Sequence, residues 1–146
     1  MRLIVQRSKN SSVSINSKVV GKISSGLVVL VGFTHTDTIK DIEYCVRKLI
    51  NLRIFDDDNG VMNKSILDVG GSVLSISQFT LYADTKKGNR PSYIKAMKES
   101  VATKLYDIFN DKLKEHVKVE TGMFGADMLV SINNDGPVTI IIESGD

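Results

Sequence analysis

Short apolar, β-branched clusters set among polar residues over 2–8 and 13–15, and again over 19–23, make each stretch read as strand. Ile15-Asn16-Ser17-Lys18 has the residues of a turn between them. Ser25-Gly26 reads as a break before Leu27–Phe33, which is β-branched and apolar enough for a central strand buried on both faces. The pattern then changes. Ile39, Ile42, Val46, Leu49 and Ile50 recur at helical spacing behind Thr36, Asp37 or Thr38 as cap, predicting a helix over 38–51. Cys45 lies on that stripe and reads as a small core side chain. Asn59-Gly60 marks a hairpin turn, and Asp68-Val69-Gly70-Gly71 another turn into a strand over 72–81. A second helix is expected from Ser92 to about Leu113, with Met97, Val101, Leu105, Ile108 and Phe109 inward. Short strands over 117–121 and 127–133 follow, and Asn134-Asp135-Gly136-Pro137 reads as a tight turn into 138–142. The prediction is one α+β domain over 1–146. Its sheet is curved, barrel-like and mostly antiparallel, with two amphipathic helices packed on it.

Bulk composition narrows the class without identifying it. An apolar fraction of 42% and a charged fraction of 25% are those of an ordinary globule. Apolar runs stay below the roughly 18 residues of a spanning helix, so no membrane partner is expected. Met1 leads straight into a strand pattern, and the single cysteine cannot form an internal disulfide; the expected location is the cytoplasm. A net charge of +2 does not imply nucleic-acid binding by itself. Any basic surface must be local, as in the loop holding Lys86, Lys87 and Arg90; that loop reads either as solvated or as a phosphate contact.

Reactive groups are few. Asp56-Asp57-Asp58-Asn59-Gly60 invites a calcium loop, but placing Gly60 at the sixth position puts Phe55 and Ile66 where ligands belong. No metal site and no cofactor are expected. His35 and His116 lack an evident acid or nucleophile partner, and the elbow, zincin, P-loop and dinucleotide motifs are missing. An enzyme built this way works by positioning and electrostatics, on a reaction with a good leaving group such as ester hydrolysis. One oxyanion donor gives a factor of ~10²–10³ in rate, useful for an activated ester. Ser77-Gln78-Phe79-Thr80-Leu81 is the place for it, because a strand end with small polar side chains releases backbone N–H groups. The alternative there is a strand running out into a polar loop.

Four stretches in order, Ser77-Gln78-Phe79-Thr80-Leu81, Gly88-Asn89-Arg90-Pro91-Ser92, Thr121-Gly122-Met123-Phe124-Gly125-Ala126-Asp127-Met128 and Asn134-Asp135-Gly136-Pro137-Val138-Thr139, resemble the D-aminoacyl-tRNA deacylases. The likeness runs from Val5-Gln6-Arg7 to Ile142; Lys64 and Tyr93 depart from it, standing where an apolar residue and a phenylalanine are usual. It implies a homodimer that hydrolyses the ester of D-aminoacyl-tRNA, with tRNA and not DNA as partner. Ser77, Gln78, Phe79 and Thr80 would form the catalytic pocket, with N–H groups around Gln78 and Phe79 facing the carbonyl oxygen. Attack would be activated by Thr80 or by the ribose 2′-hydroxyl. Gly136 and Pro137, joined by a cis bond, would enter the other subunit's site and exclude L-amino acids while admitting glycine; the residue pattern alone leaves a trans turn open. Arg7, Lys86, Lys87, Arg90, Phe124, Gly125, Met128, Asn134, Val138 and Thr139 would support or contact the substrate. Two other readings stand beside it: an RNA-binding module with Phe79 as stacking platform, and a hydrolase of small D-aminoacyl esters.

Overall fold

Every strand of the main sheet builds on one long antiparallel ribbon, β1 (Arg2–Ile15) and β2 (Lys18–Gly32). The computed structural model describes residues 1–145. Asn16 and Ser17 join the two strands with φ of 50° and 65°, the left-handed pair a tight two-residue hairpin requires. The remaining elements are α1 (Ile39–Asn51), the small hairpin of β3 (Phe55–Asp56) and β4 (Met62–Lys64), α2 (Ile66–Val69), β5 (Ser72–Ser77), α3 (Glu99–Lys114), β6 (Lys118–Thr121), β7 (Leu129–Ser131) and β8 (Asn134–Glu143). β5 runs parallel to β2, and β6 parallel to β5. On its other edge β1 takes β7 along one half and β8 along the other, both antiparallel. The α+β class and the predicted sheet hold, as do the hairpin at Asn59-Gly60 and the helix capped by Thr38.

Two cores lie on opposite faces. The larger packs α1 and α3 on the sheet, with Ile42, Cys45, Leu49, Phe109 and Leu113 against Leu3, Val5, Val29 and Val73. The smaller holds Val13, Ile23, Val28, Leu74 and Ile76, partly covered by Met128, Val130 and Ile132. Residues 27–29 thus meet apolar neighbours on both sides, as a run without alternation requires. Each large side chain fully buried there contributes about 1.5–3 kcal/mol.

Several elements differ from the sequence expectation. Residues 2–8 and 13–15 belong to one strand, because Ser8 and Ser11 are buried and hydrogen-bonded to each other at 3.1 Å. Ser25-Gly26 does not break β2. Gly26, at φ 146°, lets β5 approach so closely that a Cβ would stand 1.8 Å from the Ser72 carbonyl oxygen. The turn at 68–71 is the end of the short α2, capped by Ser65 with Asp68 and closed by left-handed Gly70. The second long helix begins at Glu99 instead of Ser92. Over 92–98 the backbone is engaged elsewhere: Ser92 and Asp84 exchange hydrogen bonds of 2.8 and 2.9 Å, and Met97 N–H donates to Phe33 at 3.0 Å. Val101 is consequently exposed, while Ala102, Tyr106, Phe109 and Leu113 face inward.

Candidate active site

β5 delivers Ser77 to a place where the sheet stops. Gln78 N–H donates to the Val31 carbonyl at 2.7 Å, and the chain then coils into a single 3₁₀ turn over Phe79–Tyr82. Alternation therefore ends at Ser77 and does not extend to Thr80. Within the turn, Leu81 N–H donates to Gln78 O at 3.2 Å and Ala83 N–H to Thr80 O at 3.0 Å. Among the described residues that pattern leaves the Phe79 and Thr80 N–H groups without an acceptor, as the first donors of any such turn are. The Gln78 N–H, expected to face a substrate carbonyl, is spent on the sheet instead.

A cavity of about 530 Å³ opens beside this turn, between Ser77, Gln78 and Phe79 on one side and Phe124, Gly125 and Met128 on the other. Tyr93, Met97 and Glu99 complete the wall from the α3 side. Phe79 is 55% exposed, its ring edge-to-face with Tyr93 at 5.2 Å. Beneath the cavity the Tyr106 ring meets Phe124 at 5.7 Å, and the Tyr106 hydroxyl donates to Ser75 O at 2.8 Å. Burial pushes the Tyr106 pKa up, so this donor keeps its proton.

Thr80 lies beside the cavity, its hydroxyl accepting from the Gln78 amide. An amide is no base, so this contact does not activate the oxygen. His35 is tied to Ile94 O at 2.6 Å, and neither histidine lines the cavity. Burial pushes the Cys45 thiol up to about 11, which keeps it an inert core group. Asp56–Gly60 forms the hairpin turn: Asp57 accepts from Val61 and Asn59 N–H, and these bonds hold its pKa below the usual carboxylate range.

The second predicted cluster sits elsewhere on the chain. Ser8 pairs with Asn134 and Gln6 with Thr139, so the single residue Arg7 faces the four residues 135–138. Asn134–Pro137 is thus a wide bulge inside β8, not a hairpin turn. The Gly136–Pro137 bond is cis. Arg7 is 9% exposed and fastens the bulge from below. Its Nε donates to the Asp135 carbonyl at 3.2 Å and lies 3.3 Å from the Asp135 carboxylate; Nη1 donates to Ile54 O at 2.9 Å and to Asp56 at 3.3 Å. Hydrogen bonding orients the Asn134 amide with its nitrogen toward Arg7 O and Val138 O and its oxygen toward Thr139 and Gln6, all at 3.1 Å. Gly136 has φ 122°, and a Cβ there would meet Val138 Cγ2 at 2.8 Å and Arg7 Nη2 at 3.0 Å. Gly136 and Pro137 are exposed and do not line this chain's own cavity.

Lys86, Lys87 and Arg90 form the third group, on an exposed loop. Asp84 anchors it, accepting from Lys86 N–H at 2.9 Å and pairing with Lys95 at 3.3 Å. The predicted residues therefore fall into a pocket, a wall-like bulge and a basic loop. Sequence reasoning does not find Tyr93 and Met97, which reach the pocket from the irregular 92–98 segment, or Glu99, which reaches it from the first turn of α3.

Comparison with known proteins places the chain in a family. Residues 4–143 match the family model described as D-Tyr-tRNA(Tyr) deacylase. A solved structure described as the c-Myc DNA unwinding element binding protein is 39% identical over 100% of both chains, with a TM-score of 0.95. Another, described as a probable eukaryotic D-amino acid tRNA deacylase, is 17% identical over 98% of both chains, with a TM-score of 0.84; at that identity the likeness is one of fold.

Proposed function

The chain belongs to the D-Tyr-tRNA(Tyr) deacylase family, and from that premise we propose how its residues remove a D-amino acid from tRNA. The reaction is hydrolysis of the ester between the D-aminoacyl group and the tRNA 3′ end. In this reading the cavity holds the terminal adenosine against Phe124 and Met128. The ester carbonyl oxygen turns to the Phe79 and Thr80 N–H groups, which stabilise the negative charge it acquires. Water adds to the carbonyl carbon as the neighbouring ribose 2′-hydroxyl relays a proton, taking one from the water and handing its own to the ribose 3′ oxygen. The tetrahedral intermediate collapses as that oxygen departs protonated, leaving free D-amino acid and tRNA. The observation that supports this route is the pairing of two unused N–H groups with a Thr80 hydroxyl whose partner is an amide.

Handedness is judged in this reading by a wall that the chain does not supply to itself. Gly136 and Pro137 are exposed and lie outside their own cavity, while Arg7 and Asn134 hold them firmly. In a homodimer the bulge of one copy enters the pocket of the other, and its carbonyl oxygens stand where an L side chain would project. A backbone wall rejects every L side chain alike, whereas apolar side-chain pockets separate substrates by only ~1–3 kcal/mol per methylene. Glycine has nothing to reject, so glycyl-tRNA is a substrate too. Lys86, Lys87 and Arg90 meet tRNA phosphates.

The test compares D-tyrosyl-, L-tyrosyl- and glycyl-tRNA. The reading expects release of D-tyrosine and glycine and negligible release of L-tyrosine; equal rates for the two enantiomers defeat the wall. Thr80→Ala is expected to keep its rate within about tenfold of wild type if the ribose hydroxyl is the working group. Complete loss, with tRNA binding intact, assigns the step to threonine. A second reading rests on the 39%-identical relative, which is named for binding DNA. Were the basic loop here a DNA site, DNA would inhibit deacylation at concentrations comparable to tRNA; the pocket reading expects no such competition.

A further inference from the structure

The 79–82 turn is gripped by a residue outside all three groups. Arg2, near the start of β1, stands directly across from Gly32 on β2 and from Glu143 on β8. Gly32 has no side chain, and a Cβ there would meet Leu81 Cβ at 3.0 Å and Gln78 O at 3.1 Å, so the turn rests directly on its backbone. Arg2 reaches across this gap. Its Nη1 donates to Leu81 O at 2.6 Å, its guanidinium carbon lies 4.8 Å from the Tyr82 ring centroid, and its Nε pairs with Glu143. The planar fork satisfies carbonyl, ring and carboxylate at once, which an ammonium cannot do.

We propose that Arg2 is a positioning residue for deacylation, holding the 79–82 turn in the setting at which the Phe79 and Thr80 N–H groups meet the ester carbonyl. The inference rests on the oxyanion role given to those groups above. Arg2 is not among the residues that line the cavity. It acts on the acyl transition state through the turn, and so affects turnover more than tRNA binding or handedness. A displacement of about 1 Å at such donors is enough to cost orders of magnitude in rate.

The experiment measures single-turnover hydrolysis of D-tyrosyl-tRNA, tRNA affinity and the D/L rate ratio for wild type, Arg2→Met and Glu143→Gln. Arg2→Met is expected to slow hydrolysis about tenfold, with affinity and the D/L ratio within twofold of wild type. Glu143→Gln removes only the flanking ion pair and leaves the Leu81 contact, so its rate stays within twofold. An unchanged rate in folded Arg2→Met overturns the proposal, as does an equal loss in Glu143→Gln, which would assign the effect to the β8 edge. Should Arg2→Met fail to fold, Arg2→Lys decides: a loss of about threefold with unchanged affinity supports the proposal and an unchanged rate overturns it. If wild type itself fails to separate D from L, the wall reading falls while the Arg2 comparison stands.

Discussion

Residues 134–138 and residues 84–92 both lie at the surface and are irregular, yet they are held in opposite ways. The bulge is bound along its length: Arg7 takes the Asp135 carbonyl and carboxylate, Asn134 bridges four partners, and Gly136 allows no atom between itself and Arg7. The basic loop hangs from one carboxylate, Asp84, and from the paired backbones of Asp84 and Ser92 at its base. The contrast matches the two tasks proposed for them. Judging handedness requires a backbone surface that does not yield to the wrong side chain, so its supports are many and buried. Meeting phosphates requires reach and charge, and cations on a loosely held loop provide both.

The largest expected effect breaks the wall. Gly136→Ala forces a side chain into a left-handed position and against the Arg7 guanidinium, so D-tyrosyl-tRNA kcat/KM is expected to fall about a hundredfold. Steady-state kinetics with both enantiomers checks it. Next comes Arg7→Ala. It leaves the Asp135 and Ile54 carbonyls and the Asp56 carboxylate without this donor, and denaturant unfolding should show a loss of about 2–3 kcal/mol with a reduced D/L ratio. Neutralising Lys86, Lys87 and Arg90 together should act on the loop alone. Affinity falls, and the slope of log K against log salt becomes shallower by about 2–3, while the D/L ratio stays within twofold.

The smallest effect is one of pH. The Lys86 N–H and the Lys95 ammonium hold the Asp84 carboxyl below the usual carboxylate range. A depressed folded pKa means that the ordering it supplies is present above the unfolded value, about 4, and is lost as pH falls through the folded value. The Lys86 amide resonance should move toward its random-coil position in acid, and Asp84→Asn should show that position at neutral pH.

Legibility followed locality. The strand at 27–33, the first helix with its Thr38 cap and the Asn59-Gly60 hairpin were readable because neighbouring residues alone determine them. Ser8 and Ser11 hid the continuity of β1, since two buried serines bonded to each other look polar in a pattern of residues. The segment 92–98 reads as helix by composition; only its distant partners Asp84, Thr34 and Phe33 draw its backbone out of one. For the site, the pocket stretches at 77–79 and 124–128 were visible as motifs. The bulge was not. Whether Asn134–Pro137 turns or bulges depends on its register with Gln6 and Ser8 and on Arg7 beneath it, 128 positions away from Asp135.

The central claim, that the wall of one copy completes the pocket of another, is tested most directly by mixing two inactive variants. Gly136→Ala spoils the wall and keeps the pocket; Ala126→Trp fills the pocket and keeps the wall. In a mixed population half the dimers are hybrids, each with one site built from an intact pocket and an intact wall, so activity should return to about a quarter of wild type. Mixing without any recovery, with hybrids demonstrably formed, would place the wall and the pocket of each site on the same chain and contradict the account.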